Sequence, residues 1–65
     1  MRILLNGEPR EFPATLSITE LLADLGVQGR LAVEVNGEIV PRGRFSAYHL
    51  QPDDKVEIVK AIGGG

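Results

Sequence analysis

Only one stretch of this chain repeats its apolar residues with the period of a helix, and that limits what the rest can do. Ile18, Leu21, Leu22 and Leu25 recur at i, i+3, i+4 and i+7, which lays one apolar stripe along one helical face. Its start is marked by Ser17-Ile18-Thr19-Glu20, the spacing of a capping box. There the Ser17 side chain accepts from the Glu20 amide, and the Glu20 carboxylate accepts from the Ser17 amide. Gly26 follows, where left-handed φ ends a helix at no steric cost. A helix of about nine residues, Ser17 to Leu25, cannot be stable alone in water. It must lay its stripe on a sheet.

The strands for that sheet are legible on both sides. Ile3-Leu4-Leu5 runs into Asn6-Gly7, the strongest short hairpin signal, because both central positions of a type I′ turn need positive φ. A second strand is expected from Glu8 to Pro13 with Phe12 facing the core. Pro9 and Pro13 cannot donate ladder hydrogen bonds, so this strand belongs at an edge. Leu31, Val33 and Val35 alternate with Ala32, Glu34 and Asn36, and Asn36-Gly37 turns the chain into Glu38-Ile39-Val40, which Pro41 ends. Arg42 to Leu50 has no clean period and reads as a loop with a helical turn, anchored by Phe45, Tyr48 and Leu50. Pro52-Asp53-Asp54 is a turn, and Lys55 to Ala61 alternates again, with Val56 and Ile58 on one face.

The order strand, strand, helix, strand, strand, strand is that of an α+β domain of the ubiquitin-like β-grasp type. A mixed sheet of four to five strands packs on one helix, and the first and last strands pair in parallel at its centre. The expected domain covers residues 1–62, with 63–65 as a tail.

Composition narrows the chemistry. A chain of 65 residues builds one core, and here 43% of residues are hydrophobic. There is no cysteine and His49 is the only histidine, so neither a disulfide nor a zinc site of ordinary ligands supports the fold, and no metal is expected. Formal net charge is −2 with both signs interspersed, which argues against nucleic acid as a partner. No run approaches the roughly 20 apolar residues that span a bilayer. A soluble, cytoplasmic protein with no membrane partner is expected.

Side-chain catalysis has little to work with. His49, beside Tyr48 and Leu50, reads as loop filler. Asp53-Asp54 reads as turn geometry before it reads as a cation site, and Ser17 and Glu20 are used by the cap. No catalytic residue is assigned. The C-terminus differs, because Ile62-Gly63-Gly64-Gly65 closes the chain directly after a central strand. Three glycines extend on the order of 10 Å and, lacking Cβ atoms, can enter a narrow channel. They would carry the Gly65 α-carboxylate there. A carboxylate is inert to nucleophiles until activated, and transfer of AMP from ATP would make it a mixed anhydride that sulfide or a thiolate can attack.

With these residues in view, the chain resembles the ThiS family of sulfur carriers. Val35-Asn36-Gly37-Glu38-Ile39-Val40-Pro41-Arg42 is similar to that family's central segment. Leu50-Gln51-Pro52-Asp53-Asp54-Lys55-Val56-Glu57-Ile58-Val59 is similar to its run before the tail. The opening Met1 to Gly7 and the ending Ile62-Gly63-Gly64-Gly65 also fit, so the resemblance covers the whole chain. It departs at Pro52-Asp53-Asp54, where members usually have glycine before the aspartate.

The resemblance implies a carrier that is not an enzyme and binds no cofactor. An adenylating enzyme uses ATP to activate Gly65, and a sulfur donor, ultimately a cysteine desulfurase, turns the adenylate into a thiocarboxylate. Thiazole synthase then accepts the sulfur for the thiamin thiazole. Gly63 and Gly64 form the arm that threads the partner's active site. The alternatives are a molybdopterin-synthase small-subunit type of carrier, a ubiquitin-like modifier joined to lysines, and a plain interaction module. For docking, if Ile3, Leu5, Val56 and Ile58 face the helix, then Leu4, Val59 and Ala61 fall on the opposite face and would form an apolar patch beside the tail.

Overall fold

The computed structural model describes residues 1–60. Residues 61–65, which include Ala61, the end of the expected domain at Ile62 and the Gly63–Gly65 arm, lie outside the described residues. The elements are β1 (Arg2–Leu5), β2 (Glu8–Glu11), α1 (Ile18–Leu25), β3 (Leu31–Val35), β4 (Glu38–Val40), a 3-10 turn (Arg42–Arg44) and β5 (Lys55–Lys60). Among the described residues the strands form one five-stranded sheet in the order β2-β1-β5-β3-β4. β1 and β5 are parallel, with Leu5 beside Val56, and the remaining neighbours are antiparallel. This is the β-grasp topology, with the last strand central.

Both Asn-Gly pairs turn as their chemistry dictates: Asn6 and Gly7 have φ of 50 and 85, Asn36 and Gly37 of 53 and 87. The helix is closed at both ends by local bonds. The Ser17 hydroxyl accepts from the Glu20 N–H at 3.1 Å, and Glu20 Oε1 accepts from the Ser17 N–H at 2.8 Å. At the other end Gly26 takes φ 71, its N–H donates to Ala23 O, and the Val27 N–H donates to Leu22 O at 3.0 Å, the paired bonds of a Schellman motif.

The core lies between α1 and one sheet face. Ile3, Ile18, Leu21, Val33, Val35, Val40, Phe45, Leu50 and Val56 are buried, with Leu5, Leu22, Leu25 and Ile58 packed against them. Phe45 and Leu50 anchor the aperiodic segment, as expected, and Tyr48 packs on the core's margin. Hydrogen bonds then fasten this segment to the helix start: Ile18 N–H to Tyr48 O at 3.0 Å, Thr19 N–H to Phe45 O at 3.2 Å, and Leu50 N–H to Leu16 O at 2.8 Å. The loop thus satisfies amides at the helix start that helical bonding leaves without partners.

One boundary differs from expectation. β2 ends at Glu11 and does not reach Pro13. The Phe12 N–H still donates to Met1 O at 2.8 Å, but Pro13, the next residue, has no N–H with which to continue the ladder. Phe12 nevertheless packs against the core, and β2 lies at the sheet edge, as Pro9 requires.

Candidate functional site

Strand β5 carries the chain toward its last residues, so the surroundings of its C-terminal end define the candidate site. β3 flanks Val59 and Lys60 through the pairs Ala32–Val59 and Leu31–Lys60. The face away from the helix is open. Val59 is 58% exposed there, and Ile39 on β4 is 68% exposed. Between their strands Glu34 sits directly opposite Glu57 and also pairs with Ile39. Like charges opposite one another on a sheet face are unfavourable, so this face is not arranged for stability alone.

Leu4 and Val59 do share this face, but they are not neighbours. β1 is in register with the start of β5, so Leu4 lies beside Lys55, four residues before Val59. That puts the two roughly 13 Å apart along the strand. The apolar companion directly opposite Val59 is Ala32, and the most exposed large apolar residue of the face is Ile39. Sequence reasoning missed Ile39. The signal was present in Ile39-Val40, since two adjacent apolar residues in a strand cannot both face the core. Ala61, Gly63, Gly64 and Gly65 fall outside the described residues.

The polar residues that the sequence singles out lie in the helix cap, the loop before β5 and its turn. Glu20 has its carboxyl held below the ordinary value, first by the bond from the Ser17 backbone N–H, then by the Ser17 side chain, with His49 a minor contributor. His49 is exposed, sits in an isolated bridge with Ser17, and has Nδ1 3.3 Å from Ala47 O. Asp54 organises its turn, since Oδ2 accepts from the Gln51 N–H at 2.8 Å and Oδ1 from Asn36 Nδ2 at 3.0 Å. Asp53 takes φ 70 at the position where the resembling family has glycine. Among the described residues no group of three or more His, Asp or Glu side chains is placed to hold a metal.

Comparison with known proteins agrees with this architecture. The ThiS family pattern matches residues 3–65. A crystal structure of a thiamine biosynthesis protein (ThiS) from Geobacter metallireducens superposes with a TM-score of 0.88 at 36% identity, covering 100% of both chains. The sulfur carrier protein ThiS of Escherichia coli is 32% identical over 66 residues, again over 100% of each. Thiazole synthases of Paramagnetospirillum magneticum and Magnetococcus marinus each carry a stretch that is 46% identical over 66 residues. That stretch covers 100% of this chain, and the chain spans about 20% of the length of these two relatives. By sequence across its length and by fold, this chain belongs to the ThiS family.

Proposed function

We propose that this chain is a sulfur carrier for thiamin thiazole synthesis, and that its working group is the carboxylate of Gly65. The observation that carries the reading is the continuity of the family match to residue 65, through a triple glycine that follows the central strand of a β-grasp domain. The absence of cysteine from the sequence supports it, because sulfur then has no side-chain thiolate to ride on.

The chemistry needs two displacements, both in a partner's active site. A carboxylate oxygen of Gly65 attacks the α-phosphorus of ATP, forming the acyl-adenylate and releasing pyrophosphate. A sulfide-level nucleophile then attacks the acyl carbon, a C–S bond forms, and AMP leaves with the C–O bond electrons. The product is a thiocarboxylate on Gly65. The carrier contributes no acid or base to either step. Its part is to dock and to present a side-chain-free arm, Gly63 and Gly64, that fits where a Cβ would not. Val59, with Ala32 beside it and Ile39 two strands away, offers the adenylating enzyme an apolar docking face. Leu4 and Ala61 extend it in the proposal.

The acceptor in this reading is thiazole synthase. The two relatives named as thiazole synthases contain a stretch like this chain within a longer polypeptide, which favours a working association between carrier and synthase. The sulfur originates with a cysteine desulfurase or an equivalent donor.

The test is intact mass after incubation with ATP, a sulfide source and an activating enzyme of a ThiS-type carrier, followed by iodoacetamide and mapping of the alkylated residue. Alkylation at Gly65 is expected, and no cysteine is present to confuse it. Removing Gly64 and Gly65 abolishes it. An unmodified terminus, with the enzyme active on another carrier, would overturn the proposal. Conjugates of higher mass, with Gly65 joined to lysines, would point to a modifier instead.

A further inference from the structure

The central strand is held on both flanks by asparagine side chains that take the place of main-chain groups. In a parallel ladder, each bonded residue of one strand donates to a carbonyl of its neighbour and accepts from an N–H two residues further on. β1 and β5 follow this rule as far as the Asn6 amide: the Leu4 N–H donates to Asp54 O at 2.9 Å, and the Asn6 N–H to Val56 O at 2.9 Å. The next rung should join the Ile58 N–H to the Asn6 carbonyl. At Asn6, however, the chain is already turning, with φ 50. The side chain supplies the rung. Asn6 Oδ1 accepts from the Ile58 N–H at 2.8 Å, and Asn6 Nδ2 donates to Ile58 O at 3.4 Å. The amide thus imitates the peptide group that a longer β1 would have placed there.

On the opposite flank Asn36 does the same at the other end of β5. Its own N–H donates to Lys55 O at 2.7 Å, and its Oδ1 accepts from the Lys55 N–H at 2.9 Å where an antiparallel partner would use its carbonyl. The two clasps differ in what they control. Asn36 grips the first residue of β5. Asn6 grips Ile58, two residues before the described chain ends, and beyond it only β3 pairs with β5. Ile58 is therefore held by β3 on one side and by the Asn6 amide on the other.

We infer that Asn6 is a positioning residue for the C-terminal arm: by holding Ile58 it sets the direction in which β5 delivers Gly65 to an activating enzyme. The inference rests on the carrier reading above. It also makes Asn6 more than a turn former, since glycine would serve the turn equally well.

That equivalence supplies the test. Asn6→Gly keeps the turn and the main-chain bond to Val56 and deletes both side-chain bonds. Asn36→Gly does the same at the far end of the strand and controls for lost stability. Each full-length chain is assayed for ATP–pyrophosphate exchange with an activating enzyme of a ThiS-type carrier, and amide hydrogen exchange is read at Ile58. A misaimed reacting group costs turnover more than docking. Asn6→Gly is expected to lower kcat by about tenfold with KM little moved. It also speeds exchange at Ile58, and Asn36→Gly leaves kcat near wild type. Asn6→Asp, which keeps the Oδ1 acceptor and tolerates the turn, falls between and stands in should the glycine variant not fold. Wild-type kcat in Asn6→Gly, or in Asn6→Asp if only that variant folds, overturns the inference while leaving the carrier reading intact. An equal loss in Asn36→Gly does the same. A wild-type chain that the enzyme does not activate overturns the carrier reading, and this one with it.

Discussion

Asp53 sits with φ 70 in the turn that feeds β5, a conformation that costs most L-residues on the order of 1 kcal/mol and glycine nothing. Its N–H donates to Arg2 O at 2.7 Å, a bond that any residue but proline would keep. The neighbouring Asp54 does the structural work of the turn, with both carboxylate oxygens accepting hydrogen bonds. Aspartate tolerates the left-handed region better than most, so it can stand where the resembling family uses glycine. Asp53→Gly is accordingly expected to raise stability by about 0.3 kcal/mol, the small remainder after the entropy that glycine adds to the unfolded chain is allowed for. The measurement is the urea midpoint at constant m-value. A midpoint at or below wild type would show that the aspartate side chain contributes as much as its backbone costs.

At the scale of elements, the helix carries its own boundaries. The capping box and the Schellman motif both form from residues within a turn of the helix ends, so both are encoded locally in the sequence. The cap also gives the helix a pH dependence whose sign is fixed. The Glu20 carboxyl lies below its ordinary 4.5 in the folded chain, so its ionised form favours folding. That contribution is complete above the ordinary value and is lost as pH falls through the lower folded one. Glu20→Gln keeps an oxygen for the Ser17 N–H but cannot titrate. Thermal melting from about pH 5 down to about pH 2.5 should therefore fall less steeply in Glu20→Gln than in wild type. Parallel curves would mean that other carboxylates dominate acid unfolding. β2 is the contrary case among the elements. Its residues are exposed throughout, and its extent follows its pairing with β1, Arg2 opposite Glu11 to Leu5 opposite Glu8, which its own alternation does not reveal.

For the molecule as a whole, the two faces of the sheet have separate tasks. One is closed by α1 over Ile3, Val33, Val35 and Val56. The other leaves Ile39 and Val59 in solvent around the opposed pair Glu34 and Glu57. Substitution on the open face should therefore separate folding from association. Val59→Asp is expected to cost no more than about 1 kcal/mol of stability, the span of strand preference at an exposed position. It should weaken binding to an activating enzyme clearly, as read by titration calorimetry on the folded variant. Unaltered binding would remove the open face around Val59 from the docking proposal and leave the arm to account for recognition by itself.

The sequence by itself determined the elements and their order. The helical period, the cap, the terminal glycine of the helix and both Asn-Gly turns are relations between residues a few positions apart, and such relations hold before any tertiary contact forms. From that order the parallel pairing of the first and last strands follows, and so does the burial of Phe45 and Leu50. What only the tertiary structure decided are relations between distant positions. The offset of Leu4 from Val59 depends on the register of two strands that the whole chain separates. The grip of Asn6 on Ile58 spans 52 positions, and that of Asn36 on Lys55 spans 19. Periodicity tells which face of a strand a residue occupies, but it is silent on which residue of another strand lies alongside. That choice is made when the core packs and the ladders lock into one register.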